Sequence, residues 1–173
     1  MTLCALFAAL FAVGAFIRIP FVSVSFTLQF LFTNLSLLVL GRNKALVCSL
    51  LYTATGLCGA PVFTLGGGFS YVFQPSFGYI LGFSLGIFLG GTVLNKTGQS
   101  LKGKIIASSV NLLCVYALGI AYTAFIYAIH LATPRPLYEL LIYGGAVFIP
   151  VDALCAMFSI VLSRRLRAIT ERL

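Results

Sequence analysis

Acidic residues are almost missing from this sequence. Its 173 residues include three, Glu139, Asp152 and Glu171, and a single histidine, His130. From so few, neither a pair of carboxylates for general acid–base work nor a Ser-His-Asp set can be assembled. His130 has no Cys, Asp or Glu at metal-ligand spacing. Enzyme chemistry is therefore disfavoured, and no metal or cofactor is expected. The five cysteines (Cys4, Cys48, Cys58, Cys114, Cys155) form no CxxC pair and lie in apolar surroundings, so they read as free thiols acting as small hydrophobes. Charge of either sign is scarce as well. Charged residues make up 8% of the chain against 61% hydrophobic, and mean hydropathy is +1.11. A soluble domain of this size has too much surface to carry so few charges. The chain reads as one transmembrane domain over residues 1–173, with no room for a soluble catalytic module.

What is present is apolar runs separated by polar punctuation. A span needs about 20 mostly apolar residues. Leu3–Ile19, Ser25–Leu40, Ala45–Leu57, Ser76–Leu94, Ile105–Leu131 and Gly144–Leu162 supply six, with Leu137–Tyr143 as a short interfacial helix before the last. The predicted fold is thus all-α, an integral membrane bundle of six helices. No basic residue precedes the first run, which argues against a signal-peptide core. With both termini in the cytoplasm, nine of the eleven Lys and Arg lie inside and only Arg18 and Arg135 outside. That asymmetry obeys the positive-inside rule. It also explains the net charge of +8 without nucleic acid.

Between the third and fourth runs lies Gly56–Gly82, GLCGAPVFTLGGGFSYVFQPSFGYILG, which is too rich in Gly and Pro for an ordinary helix. Gly66, Gly67 and Gly68 allow backbone angles closed to other residues and a close approach to another surface. Tyr71, Phe73 and Phe77 add rings. By the parity of spans this Gly-rich loop is extracytoplasmic, and it reads as an ordered cap over a binding cavity. Beneath it, polar side chains converge in height. At about 1.5 Å per residue, Asp152, Gln29 and Tyr116 each sit roughly 18 Å above the basic end of their helix, with Tyr79 higher and Asn34 and Asn111 deeper. Asp152 is the one ionisable residue clearly inside the membrane, which makes it a functional-site candidate. The alternative is a carboxylate bonded to a hydroxyl or backbone for packing alone. For Gln29 the alternative is a helix-start cap.

Small residues recur at helical spacing. Ala5 and Ala9, then Ala8 and Ala12, stripe the first run; Gly78, Gly82, Gly86 and Gly90 stripe the fourth. Such stripes let helices approach closely in lipid, either within this chain or against a partner. Other signals carry less. Gly98–Lys104 imitates a phosphate-binding loop but lacks the following Ser/Thr and a preceding strand. The sequons at Asn34 and Asn95 fall in the membrane or the cytoplasm.

Pro20, Ser25-Phe-Thr-Leu-Gln29, Leu57-Cys-Gly-Ala-Pro-Val-Phe63, the glycines 66–68 with Phe69-Ser-Tyr71, and Pro75-Ser-Phe-Gly-Tyr79-Ile-Leu-Gly-Phe83 resemble the BioY family over essentially the whole chain. BioY proteins are biotin-specific S components of energy-coupling factor (ECF) transporters. The resemblance implies capture of biotin from outside at a plasma membrane of a prokaryote. It implies a substrate site drawn from Asp152, Gln29, Tyr71, Tyr79, Tyr116, Gly67 and Gly68. It implies a first helix whose Ala5, Ala8, Ala9 and Ala12 dock a transmembrane coupling protein, with ATP hydrolysis in two separate ATPase subunits. The family's Asp after Pro in the last helix matches Pro150-Val-Asp152, but its Lys three residues on is Cys155 here. For the biotin carboxylate that leaves Arg18 or Arg135 at the rim, or the start of the helix after Pro75. The rival readings are an S component for another vitamin and a stand-alone secondary transporter, which should show inverted repeats.

Overall fold

The structure, a computed structural model, describes residues 2–19, 26–132 and 135–170, with side chains up to Leu166. Most of the Pro20–Phe26 turn, and Thr133-Pro134, which separate runs in the sequence, lie outside the described residues.

Six helical rods form the bundle. They are α1 (Thr2–Phe16), α2 (Gln29–Leu40), α3 (Arg42–Leu57), α4 (Phe77–Thr97), α5 (Leu101–Phe125) and a last rod in which the short α6 (Leu137–Leu141) leads into α7 (Ile149–Thr170). A π-helical turn, Ile126–His130, extends α5, and a second, Ile142–Ala146, joins α6 towards α7. Several expected boundaries shift: α1 ends at Phe16 rather than Ile19, α2 starts at Gln29 rather than Ser25, and α3 at Arg42 rather than Ala45. Ser100 accepts a bond from the Gly103 N–H and caps α5, so that helix starts at Leu101 rather than Ile105. The interfacial helix and the final span merge into nearly continuous helix, because Pro150 sits in the first turn of α7, where a missing N–H is harmless.

Among the described residues, three rods are long and apolar enough to cross a membrane: Phe77–Thr97, Leu101–His130 and Leu137–Leu166. The 15-residue α1, 12-residue α2 and 16-residue α3 are shorter. At 1.5 Å per residue α2 is only about 18 Å long, against roughly 30 Å of hydrocarbon. Irregular backbone is tolerated at such depth only where protein covers it or where it lines a cavity. A two-residue β-ribbon does this above α2, with β1 (Arg18–Ile19) antiparallel to β2 (Phe26–Thr27). The connection from Cys58 to Ser76 covers the same end, with a 3₁₀ turn at Phe69–Phe73.

α4 and α5 form the most extensive pairing in the bundle. The glycine stripe explains it: Gly78, Gly82, Gly86 and Gly90 face Tyr122, Val115, Asn111 and Ala107 in turn. The stripe therefore serves contacts within this chain. Deeper in the bundle, Asn34 donates to Ser108 (3.0 Å) on α5 and Ser159 (2.6 Å) on α7, and accepts from Asn111 (3.1 Å). This buried network ties three helices together where apolar packing alone gives little specificity. Asn34→Ala is expected to cost about 1–2 kcal/mol, read as a lower thermal midpoint of the detergent-solubilised chain.

The Gly98–Lys104 segment is a helix–helix turn. Gly98 (φ 72°) ends α4, and buried Lys104 donates to Ser163 Oγ at 3.0 Å. Basic side chains gather at this end of the bundle. Arg42 bonds Thr92 near the end of α4, while Arg18 and Arg135 belong to the opposite end with the ribbon and the connection.

Candidate functional site

The connection is folded around rings. Phe63 is fully buried, 4.6 Å from Tyr71 and 5.4 Å from Tyr52, and Tyr71 leads on to Phe77. Gly66 and Gly68 adopt φ of 118° and 102°, which side chains disfavour. The Gly68 N–H bonds the Gly56 carbonyl at 2.7 Å, and Gly67 lies so close to the Ala60 carbonyl that no Cβ fits between them. α5 anchors the same segment: the Tyr122 hydroxyl donates to the Val72 carbonyl (2.6 Å) and Thr123 to that of Pro75 (3.1 Å). His130 stacks on Phe73 at 4.7 Å.

Beneath this cap is a cavity. Its walls come from the ribbon (Phe26, Thr27), the start of α2 (Gln29, Phe30), the connection (Thr64, Tyr71, Ser76), α4 (Tyr79, Ile80, Phe83), α5 (Val115, Tyr116), and Phe148 and Asp152. The walls enclose a free volume of about 50 Å³. A ligand larger than a few waters displaces wall side chains on entering.

Each polar group is held in place. Tyr116 donates its hydroxyl to Asp152 Oδ2 at 2.5 Å. Asp152 Oδ1 is buried and has no hydrogen-bond partner among the described residues. A buried acceptor left unbonded costs about 1–3 kcal/mol, and an arriving N–H donor removes that cost. Gln29 donates through Nε2 to the Tyr52 hydroxyl (2.7 Å), which in turn donates to the Val62 carbonyl (3.0 Å). Leu28 caps α2 without a side-chain bond, and Gln29, the next residue, lines the cavity. The Tyr79 hydroxyl donates to the Gly144 carbonyl in the second π turn (2.7 Å), a helix irregularity frequent at functional sites. Tyr71 and Ser76 share a hydroxyl–hydroxyl bond of 3.0 Å.

Gln29, Tyr71, Tyr79, Tyr116 and Asp152 thus meet in one cavity. Gly67 and Gly68 do not line it; they fold the cap. Tyr52, Thr27, Thr64, Ser76, Phe26 and Phe148 contribute although nothing in the sequence singles them out as site residues. Of these, Phe26 and Thr27 fall within the Ser25–Gln29 motif and Ser76 within Pro75–Phe83, while Tyr52, Thr64 and Phe148 carry no local signal. Tyr52 looks like any aromatic in an apolar run until α3 packs beside Gln29. Cys155 is half-buried against the Phe30, Phe83, Val115 and Ala156 cluster and is not among the lining residues. The two alanine stripes diverge. Ala5 and Ala9 are exposed beside Leu6, while Ala8 and Ala12 turn half-inward onto the core of the bundle. Among the described residues no group of three His, Cys, Asp or Glu could hold a metal. Chemically, the cavity offers one carboxylate oxygen as acceptor, an oriented amide and aromatic walls. That set suits a compact apolar ring bearing N–H donors.

Comparison with known proteins agrees with this chemistry. Residues 1–172 match the model of the BioY family. A probable biotin transporter BioY of Lysinibacillus sphaericus is 36% identical over 96% of this chain and 85% of its own. One from Pyrococcus horikoshii is 31% identical over 98% of this chain and 97% of its own. Among solved structures, the crystal structure of an S component for biotin from an ECF-type ABC transporter superposes with a TM-score of 0.82 at 30% identity. It covers 96% of this chain and 89% of that one. The fold and the long apolar helices place the protein among multi-pass membrane proteins. Matched from end to end by the family model and by relatives of such identity, the chain belongs to the BioY family.

Proposed function

We propose that this chain is the substrate-binding S component of an ECF-type transporter and that it captures biotin in the cavity under the Cys58–Ser76 connection. The observation that carries the reading is the unpartnered Asp152 Oδ1 in an aromatic-walled cavity, in a chain whose relatives are named biotin transporters. Biotin's ureido ring brings N–H donors to that oxygen, and Gln29 has a second amide hydrogen for the ureido carbonyl. Tyr79, Tyr71 and the surrounding Phe side chains enclose the ring and its sulfur. Tyr116 positions Asp152, while Gly67 and Gly68 shape the cap above.

On this reading the whole of residues 1–173 is one transmembrane substrate-binding domain with no chemistry of its own. It lies in the plasma membrane of a prokaryote, its basic end and both termini in the cytoplasm and the cap outside. Nine of the eleven Lys and Arg then fall inside. Power comes from a transmembrane coupling protein and two ATPase subunits. The exposed Ala5 and Ala9, flanked by Leu6, suit close helix contact with the coupling protein. Toppling of the subunit in the membrane would carry the cavity inward, helped by an outer end with few charges.

Titration calorimetry of the purified chain alone with biotin tests the assignment. Saturable heat at one site per chain is expected, with no added ATPase. Heat for another vitamin and none for biotin would move the chain to a different substrate. Uptake in cells lacking every coupling module would instead favour a stand-alone transporter.

A further inference from the structure

The cation for the ligand's acid group is not obvious, because the family's Lys position is Cys155. Three alternatives are distinguishable in the structure. Arg135 is committed: it pairs with Glu139 at 3.3 Å and lies 5.5 Å from the centre of the Tyr127 ring. The start of α4 is partly used, since the Phe77 and Tyr79 N–H groups bond the carbonyls of Gln74 (3.0 Å) and Ser76 (3.1 Å). Arg18 differs from both. It pairs with Thr27 across the ribbon, and its Nη1 donates to the Thr64 carbonyl. Thr27 and Thr64 both line the cavity. Among the described residues no carboxylate pairs with Arg18, and a guanidinium has further donors beyond the one Thr64 accepts.

Resting on the biotin reading, we propose that Arg18 is the specificity-determining residue for the carboxylate. It is not itself a lining residue but is tied to two of them, Thr27 and Thr64, and from there takes the ligand's anionic tail while the ureido ring lies at Asp152. The Arg fork matches a carboxylate in two parallel bonds, where a neutral ester or alcohol offers no charge to meet it. The same side chain clasps the ribbon to the connection through Thr64, so a bound acid also tightens the cap.

The test separates recognition from clasping. Arg18→Gln removes the charge but keeps an amide able to donate to the Thr64 carbonyl. Affinities of the purified full-length chain for biotin, biotin methyl ester and biotinol are compared by calorimetry. Wild type is expected to bind biotin at least about tenfold more tightly than either neutral analogue. In R18Q that preference should collapse, with biotin weakened by a similar factor and the analogues changed less than about twofold. R18K should recover part of it. Equal weakening of all three ligands in R18Q would make Arg18 a clasp alone and overturn the proposal. So would a wild-type chain indifferent to esterification, a result needing no variant to fold. A wild type that binds neither biotin nor its analogues removes the biotin reading itself, and this one with it.

Discussion

Asp152→Asn is expected to weaken biotin binding on the order of 10²–10³-fold while leaving the fold intact. The substitution keeps the size of the side chain and replaces one acceptor oxygen with an NH₂ donor, which would face the ureido N–H groups donor to donor. Bonds to a charged acceptor are each worth about 1.5–3 kcal/mol, and a tenfold change in affinity is 1.4 kcal/mol. Stability of the free chain should not fall, because the variant removes a buried charge from a site that no Lys or Arg lines among the described residues. Asp152→Ala should likewise abolish uptake without disturbing membrane insertion. Calorimetry gives the affinity, and thermal melting with and without biotin gives an independent reading. A ligand that binds only the folded state raises the midpoint by mass action, so wild type should shift and D152N should not. Near-normal biotin binding by D152N would refute the role assigned to Asp152.

The second large effect is expected at Gly82→Val. A Cβ at Gly82 would lie 2.8 Å from the Val115 Cα and 2.9 Å from its carbonyl oxygen. Those are backbone atoms, so α5 must move away as a whole. In lipid no hydrophobic drive pushes the two helices back together, and packing between them is most of what holds the pair. Overpacking of this kind costs about 1–3 kcal/mol, occasionally more. Val115, Ile80 and Phe83 also wall the cavity. G82V should therefore lower the thermal midpoint markedly and lose biotin binding with it. Leu113→Ala, on an exposed face of α5, should leave the midpoint nearly unchanged. A G82V protein that melted like wild type would mean that α4 and α5 tolerate separation.

Much of this is legible in the amino-acid sequence, for local reasons. Gly-Arg-Asn-Lys and Ser-Leu-Lys-Gly-Lys interrupt apolar runs whose lengths match helices, and helix rise alone puts Asp152, Gln29 and Tyr116 at one height. Asn34 and Asn111, expected deeper, do bond across helices. Partners in space are not legible there. Rise along an axis says nothing about rotation around it, so the alanine stripes look alike until α1 turns Ala5 and Ala9 outward and Ala8 and Ala12 towards the core. Tyr52 becomes a support for Gln29 only when α3 packs beside α2.

Composition and periodicity by themselves determined that the chain is a helical membrane bundle, and they raised the expectation of a carboxylate beneath a Gly-rich segment. Those properties follow from the solvent each residue prefers and from repeats along a single helix. Only the tertiary structure decided that Tyr116 takes one oxygen of Asp152 and leaves the other unbonded among the described residues, that the triglycine folds the connection without lining the cavity, and that Arg18 reaches Thr64. Hydrogen bonds between residues dozens of positions apart depend on how helices rotate and cross, which side-chain packing among all six rods sets together.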